Sequence, residues 1–156
     1  MQQGLGDLDS LYREIILDHH RSPRNHEPLD SPDVEVEGVN PFCGDEVKVQ
    51  LKAADSTIGD ISVSGHGCSI SQSSASLMGE TVKGKSLEDA LKIRRLFQGL
   101  MKGEELSEEQ MVQLGDLEAL QGVRKYPVRI KCALLGWSAL EDALKKLAGG
   151  RPTSSR

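Results

Sequence analysis

Hydrophobic and polar positions divide the chain into an N-terminal helix, a strand-forming stretch and a helical C-terminal half. Leu11, Ile15 and Ile16 recur at helical spacing behind Asp9 or Ser10 as caps, which predicts a helix to about His20, closed by Pro23. A polar stretch with Pro28 and Pro32 comes next. Val34 and Val36 then alternate with acids; Val47, Val49 and Leu51 alternate with polar residues, and Ile61 and Val63 repeat the pattern. Period two over these short runs predicts three strands. With Asn40-Pro41 and Ala54-Asp55-Ser56 as turns, they form an antiparallel sheet with one buried and one wet face.

Beyond Gly67 the period becomes helical. Ser69 to about Lys83 forms one helix, stopped by Gly84. Ser86 caps the next, with Leu87, Leu91, Phe97 and Met101 on its apolar side, Asp89 placed as a capping-box acid and Gly103 at its end. Ser107-Glu108-Glu109-Gln110 is a capping box for a short helix through Leu114, and Gly115 and Gly122 punctuate the stretch beyond it. Pro127 suits the first turn of a last helix that carries Trp137, Leu140, Leu144 and Leu147 and ends at Gly149-Gly150. The pattern predicts an α+β fold, three antiparallel strands packed against about five to six helices.

The 156 residues fit one domain, expected over residues 1–148 with a disordered tail at 149–156. A net charge of −5 and only five aromatics (Tyr12, Phe42, Phe97, Tyr126, Trp137) argue against nucleic acid as a partner. The longest uncharged stretch, Ile61 to Gly79, holds seven serines, whose hydroxyls exclude a membrane span. Its first ten residues show neither a basic nor an apolar leader segment, so no signal peptide is expected and the expected location is the cytoplasm. Three cysteines, Cys43, Cys68 and Cys132, cannot all pair within one chain, and a reducing compartment disfavours disulfides. Three such thiols suggest metal or sulfur chemistry.

Asn40-Pro41-Phe42-Cys43-Gly44-Asp45 lies where one strand gives way to the next. In extended backbone, residues two apart face one side, so Cys43 and Asp45 either converge as zinc donors or form a turn around a buried thiol. Cys68 follows Gly65-His66-Gly67 at a helix start, where free N–H groups stabilise a thiolate. The serines after it serve either that turn or close helix packing. Arg129 and Lys131 flank Cys132 with positive charge, which favours a thiolate or an anionic sulfur species.

The Asn-Pro-x-Cys-Gly-Asp segment at 40–45, the Gly-x-Gly-Cys-x-Ile-Ser run at 65–71 and the Lys-Cys of the last helix resemble the U-type iron–sulfur cluster assembly proteins, the SufU/IscU/NifU N-terminal family. The resemblance runs from the Leu11-Tyr12 helix to about Leu147. It is closest to the SufU branch: Lys131 stands where IscU-type scaffolds have histidine, and Gly103 to Tyr126 resembles the insertion of SufU-type proteins. It implies a three-stranded antiparallel sheet packed by helices, with a Zn²⁺ site of Cys43, Asp45, Cys68 and Cys132 at its edge.

The resemblance further implies a zinc-dependent sulfurtransferase that accepts persulfide sulfur on Cys43 from a SufS-type, pyridoxal-phosphate cysteine desulfurase and passes it to downstream iron–sulfur assembly proteins. Arg129 would steady the released thiolate or the persulfide. A donor from the desulfurase, expected to be a histidine, would replace Cys43 on zinc. Two other functions compete. One is a scaffold for a transient [2Fe–2S] cluster or iron on Cys43, Cys68 and Cys132, and the other is a structural zinc module. Lys131 counts against the scaffold, and accessible Cys43 and Cys68 count against a closed structural site.

His66 is expected exposed near the site rather than as a ligand. His19, His20 and His26 are expected at the surface, the first two as partner contacts. The segment 103–118, with six acids and no base, is either a solvated face or a docking surface for a basic patch on the desulfurase.

Overall fold

The computed structural model describes the backbone of residues 2–150 and the side chains of residues 10–148. Helix α1 (Gln2–Arg21) precedes strands β1 (Val34–Asn40), β2 (Asp45–Ala54) and β3 (Thr57–His66). Helices α2 (Ser69–Val82), α3 (Leu87–Met101) and α4 (Glu108–Leu114), a 3₁₀ helix (Gly115–Lys125) and α5 (Pro127–Gly150) complete the chain. Helix α1 starts well before Asp9 because Leu5, Leu8, Leu11 and Ile15 already carry the helical spacing upstream. The tail expectation at 151–156 lies outside the described residues, while Gly149 and Gly150 still belong to α5.

The sheet is antiparallel in the order β1-β2-β3. Its hairpins close at Asn40↔Asp45 and Ala54↔Thr57, where the sequence places its turns. Val36, Val47, Val49, Leu51, Ile61 and Val63 are buried on the core side, in the alternation expected of a one-sided sheet. Helix α5 lies against β1 and β2, and a Cβ on Gly38 would sit 3.3 Å from Leu135, so the missing side chain sets this approach. Trp137 of α5 stacks on Phe97 of α3 at 5.2 Å between ring centroids.

The second face is less wet than the alternation implies. Gln50 and Ser62 are buried there, and Gln50 Oε1 accepts the Leu29 N–H at 2.9 Å while its Nε2 donates to Glu35 at 2.8 Å. The segment after α1 crosses this side and closes the β3 edge, with Val63 N–H donating to Asn25 O at 2.7 Å. Of the expected caps, Asp9 and Ser10 lie inside α1, and the Asp89 side chain returns no capping-box bond to Ser86. Ser86 Oγ accepts from Asp89 N–H at 2.9 Å, and Ser107 and Gln110 form a reciprocal capping box on α4.

The serines of α2 are packing groups: Ser71, Ser73, Ser74 and Ser76 are buried, and Ser74 Oγ donates to Ala133 O at 2.6 Å. Ser76 explains why His19 is not at the surface. The imidazole is only 3% exposed, with Nδ1 2.8 Å from Ser76 Oγ and Nε2 3.4 Å from Glu80. It stands one turn after Ile15 on the inward stripe of α1, whereas His20 and His26 are exposed. Burial first, and then the charge of Arg24, hold the His19 pKa below its ordinary value.

The unfolded chain takes up this proton near pH 6.5, and the folded chain only at lower pH. Stability attributable to His19 is therefore full above about pH 6.5 and falls as the pH drops toward the folded pKa. Denaturant midpoints compared at about pH 7.5 and 5.5 are expected to show this decline, and His19→Gln is expected to flatten it. An unchanged decline in the variant would assign the effect to other groups.

Candidate metal centre

Cys43 lies in the turn between β1 and β2, its N–H donating to Asn40 O at 3.3 Å. Gly44 follows with φ 69°, a left-handed conformation that suits glycine. This turn, rather than strand alternation, brings the Cys43 sulfur toward Asp45. Asp45 opens β2 in phase with Val47, Val49 and Leu51, which draws its carboxylate inward, and the residue is 0% exposed.

β3 ends beside this turn, Glu46 pairing with His66. A Cβ on Gly67 would meet Asp45 Cα at 2.8 Å and run into its carboxylate, so glycine is what lets the β3 end fold over Asp45. Cys68 then caps α2. Its N–H donates to Asp45 Oδ1 at 2.8 Å, its Sγ stands 3.7 Å from Oδ2, and the Ser71 N–H points at that sulfur at 3.4 Å. The free N–H groups expected at this helix start are thus aimed at Cys68.

Cys132 reaches the group from the second turn of α5, fully buried, with its Sγ 3.1 Å from Cys43 Sγ. One donor atom each of Cys43, Asp45 and Cys132 lies within 4.8 Å of the other two, and Cys68 attaches at the margin through Asp45. Three thiols and a carboxylate thus converge from the β1–β2 turn, the α2 start and α5. Asp45 takes part in no ion pair among the described residues. Burial, together with hydrogen bonding to Cys43, Asp45 and Cys68, pushes the Cys132 thiol up. A dication reverses that preference, since it compensates the carboxylate and deprotonates coordinating thiols. The donor set therefore fits a thiophilic metal ion such as zinc.

Of the two cations flanking Cys132, only Arg129 lines the cleft with Cys43 and Cys68. Its nearness to the Cys132 sulfur first, and then the charge of Cys68, Cys132 and Cys43, raises the Arg129 pKa. Lys131 turns outward and stands 5.7 Å from the ring centroid of Phe42. His66 is exposed and pairs with Glu46 at 3.3 Å, outside the donor group. In the acidic segment Glu104, Glu105, Glu108, Glu109 and Asp116 are exposed, and Glu118 accepts from Tyr12 Oη at 3.2 Å.

An open cleft of about 750 Å³ leads to the site, lined by Phe42, Cys43, Cys68, Lys125, Tyr126 and Arg129 among others. Val39, Phe42, Tyr126 and Val128 leave apolar surface exposed around it. Two residues go beyond the sequence reading. Asn40, read there as turn chemistry and as part of the 40–45 motif but given no role at the site, is buried and directs Nδ2 toward Cys132 Sγ at 3.8 Å while its Oδ1 accepts from Phe42 N–H at 3.3 Å. Lys125 had no signal beyond its charge.

Residues 11–133 match the family model described as the NifU-like N terminal domain. The chain is 45% identical over 144 residues to the zinc-dependent sulfurtransferase SufU of Bacillus subtilis (strain 168), covering 92% of this chain and 96% of that protein. It is 39% identical to the iron–sulfur cluster assembly scaffold protein IscU of Streptococcus pyogenes serotype M1, covering 94% and 91%. The crystal structure of FiSufU from thermophilic Fervidobacterium islandicum AW-1 superposes with a TM-score of 0.79 at 36% identity, over 84% of this chain and 94% of that one.

Proposed function

The chain belongs to the NifU-like N-terminal domain family, and on that premise we propose that it carries sulfur in iron–sulfur cluster assembly as a zinc-dependent sulfurtransferase. Cys43 takes sulfane sulfur from a pyridoxal-phosphate cysteine desulfurase of the SufS type. Cys43, Asp45, Cys68 and Cys132 hold zinc, within a single domain over residues 1–148. A reducing cytoplasm is the setting in which three free thiols persist. The observation that supports this function best is the asymmetry of the thiols: Cys43 faces an open cleft, while its partner Cys132, 3.1 Å away, is buried.

Bound zinc would keep the thiols deprotonated at neutral pH and would compensate the buried Asp45 charge. The protein's own residues supply the rest. The Cys43 thiolate attacks the outer sulfur of the desulfurase persulfide; that S–S bond breaks, the desulfurase cysteine leaves as thiolate, and Cys43 carries the new persulfide. Exchange of this kind releases no free sulfide and needs no oxidant. Arg129 at the cleft edge offers a cation to the thiolate before attack and to the persulfide afterwards. Gly44 leaves the approach to Cys43 open, since a Cβ there would meet nothing within 4 Å.

A scaffold for a [2Fe–2S] cluster on the same cysteines is the competing function. Lys131 counts against it, because its ammonium stands over Phe42 and offers no neutral nitrogen donor to the group. Protein purified without oxygen is expected to carry about one zinc per chain and to raise cysteine turnover by a SufS-type desulfurase. Iron with acid-labile sulfide in place of zinc, and no rise in turnover, would favour the scaffold.

Asn40 supplies a further test. Its amide orients Cys132 from outside the donor set, and loss of such a partner typically costs about 10–100-fold in metal affinity. Asn40→Ala is expected to weaken zinc within that range in a chelator competition. Unaltered affinity would remove Asn40 from the site.

A further inference from the structure

We infer that the cleft beside Cys43 binds a carboxylate-bearing low-molecular-weight thiol and makes it a second acceptor for the sulfur on Cys43. This rests on the sulfur-acceptor role proposed above and extends it by one step. In a chain of net charge −5, residues 119–140 contain Arg124, Lys125, Arg129 and Lys131 and no acid. Lys125 and Arg129 line the cleft with Cys43 and Cys68, and neither forms an ion pair among the described residues. Lys131 stands over Phe42, and Arg129 is the cation proposed above for the Cys43 sulfur, which leaves Lys125 for an incoming anion.

The cationic wall continues past the cleft. A neighbouring cavity of about 410 Å³, between α1 and the 3₁₀ helix, shares Lys125, Tyr126 and Arg129 with it and adds Arg13. Exposed Phe42 and Tyr126 give the stem of a small ligand apolar surface. The 750 Å³ cleft falls within the roughly 300–1,000 Å³ usual for small-molecule sites. An anionic thiol approaching clustered thiolates is repelled unless cations stand close by, and Lys125 lines the same cleft. A neutral thiol gains nothing from that lysine.

In the step itself the ligand thiolate attacks the outer sulfur of the Cys43 persulfide. The bond from that sulfur to Cys43 Sγ breaks, Cys43 leaves as thiolate, and the proton stays on the transferred sulfur as the ligand persulfide forms. The S–S bond formed replaces the one broken, so no oxidant or reductant enters.

N-acetylcysteine and its amide share one thiol skeleton and differ by a carboxylate. The full chain, loaded with labelled sulfur by a desulfurase, is discharged with each at equal thiolate concentration. The ratio of the two rates is then compared with that on the persulfide of a peptide spanning residues 40–46. The protein is expected to favour the carboxylate thiol by about tenfold over the peptide ratio, the size of one charge-assisted contact, with saturation. Lys125→Gln is expected to return the ratio to the peptide's.

The disulfides of the same two thiols, reacted with unloaded protein, read the charge preference at Cys43 without a persulfide. A ratio equal to the peptide's in both arms overturns the cleft, and a preference undiminished by Lys125→Gln overturns its placement. A chain that takes no label from the desulfurase overturns the acceptor role and the sulfur step with it, even where the disulfide arm retains the preference.

Discussion

In the Cys43→Ala protein, the rise in desulfurase turnover that the wild-type chain brings is expected to vanish, with rates returning to those of the desulfurase alone. The size of this effect comes from position. Cys132 is fully buried in α5, and Cys68, though it lines the same cleft, caps α2 and receives the Ser71 N–H on its sulfur, so Cys43 is the cleft thiol that sits in a turn. Cys132 cannot substitute without leaving its place in the fold, and Cys68 only by giving up its cap of α2. The same placement makes the substitution mild for folding of the metal-free chain, because a turn residue away from the core usually changes stability by less than about 1 kcal/mol. Circular dichroism is expected to match wild type, and the denaturant midpoint to match that of the metal-free wild type. Turnover still stimulated by a well-folded Cys43→Ala chain would move the acceptor role elsewhere.

Asp45→Asn is expected to produce the second large effect, on metal rather than on sulfur. Structural zinc sites contribute about 10–16 kcal/mol in all, so one donor of four carries roughly 3 kcal/mol, or about a hundredfold in affinity. Asparagine keeps the side-chain oxygen that accepts the Cys68 N–H at 2.8 Å and removes only the charge. The metal-free variant is therefore expected to be no less stable than the metal-free wild type, since it is relieved of a buried carboxylate without a cation. Chelator competition gives the affinity, and denaturation with and without zinc gives the two stabilities. A variant that retains zinc as wild type does would exclude Asp45 from the donor set.

Local chemistry was legible in the sequence. The Ser107–Gln110 box, the Asp55-Ser56 turn and the alternation through Val47, Val49 and Leu51 depend on neighbours within a few residues, and each takes the expected form. The centre itself is not local. Cys43 and Cys132 are 89 positions apart, and their sulfurs meet only because α5 settles on β1 over Gly38. No periodicity in either segment encodes that crossing. The resemblance named all four residues together, while the pattern alone offered a Cys43–Asp45 pair and two separate thiols.

The departures have physical causes as well. Strand alternation would bring Cys43 and Asp45 together, but the chain does so with a turn, and Asp45 faces inward because it is in phase with the core residues of β2. His19 read as polar and therefore exposed, yet its place one turn after Ile15 puts it on the buried stripe, where Ser76 supplies a hydrogen-bond partner. Lys131 looked like a cation for Cys132, but its long stem carries the ammonium to Phe42 instead. Asn40 reaches Cys132, and Lys125 joins the cleft lining, through placements that only the folded chain creates.

One measurement bears on the central claim most directly. The zinc-loaded chain is incubated without oxygen with a SufS-type desulfurase and labelled cysteine, then digested without reductant and mapped by mass spectrometry. One additional sulfur on the peptide containing Cys43, carrying the label and removed by a thiol, is the predicted result. Label on the Cys68 or Cys132 peptide alone, or recovered only as free sulfide, would contradict it.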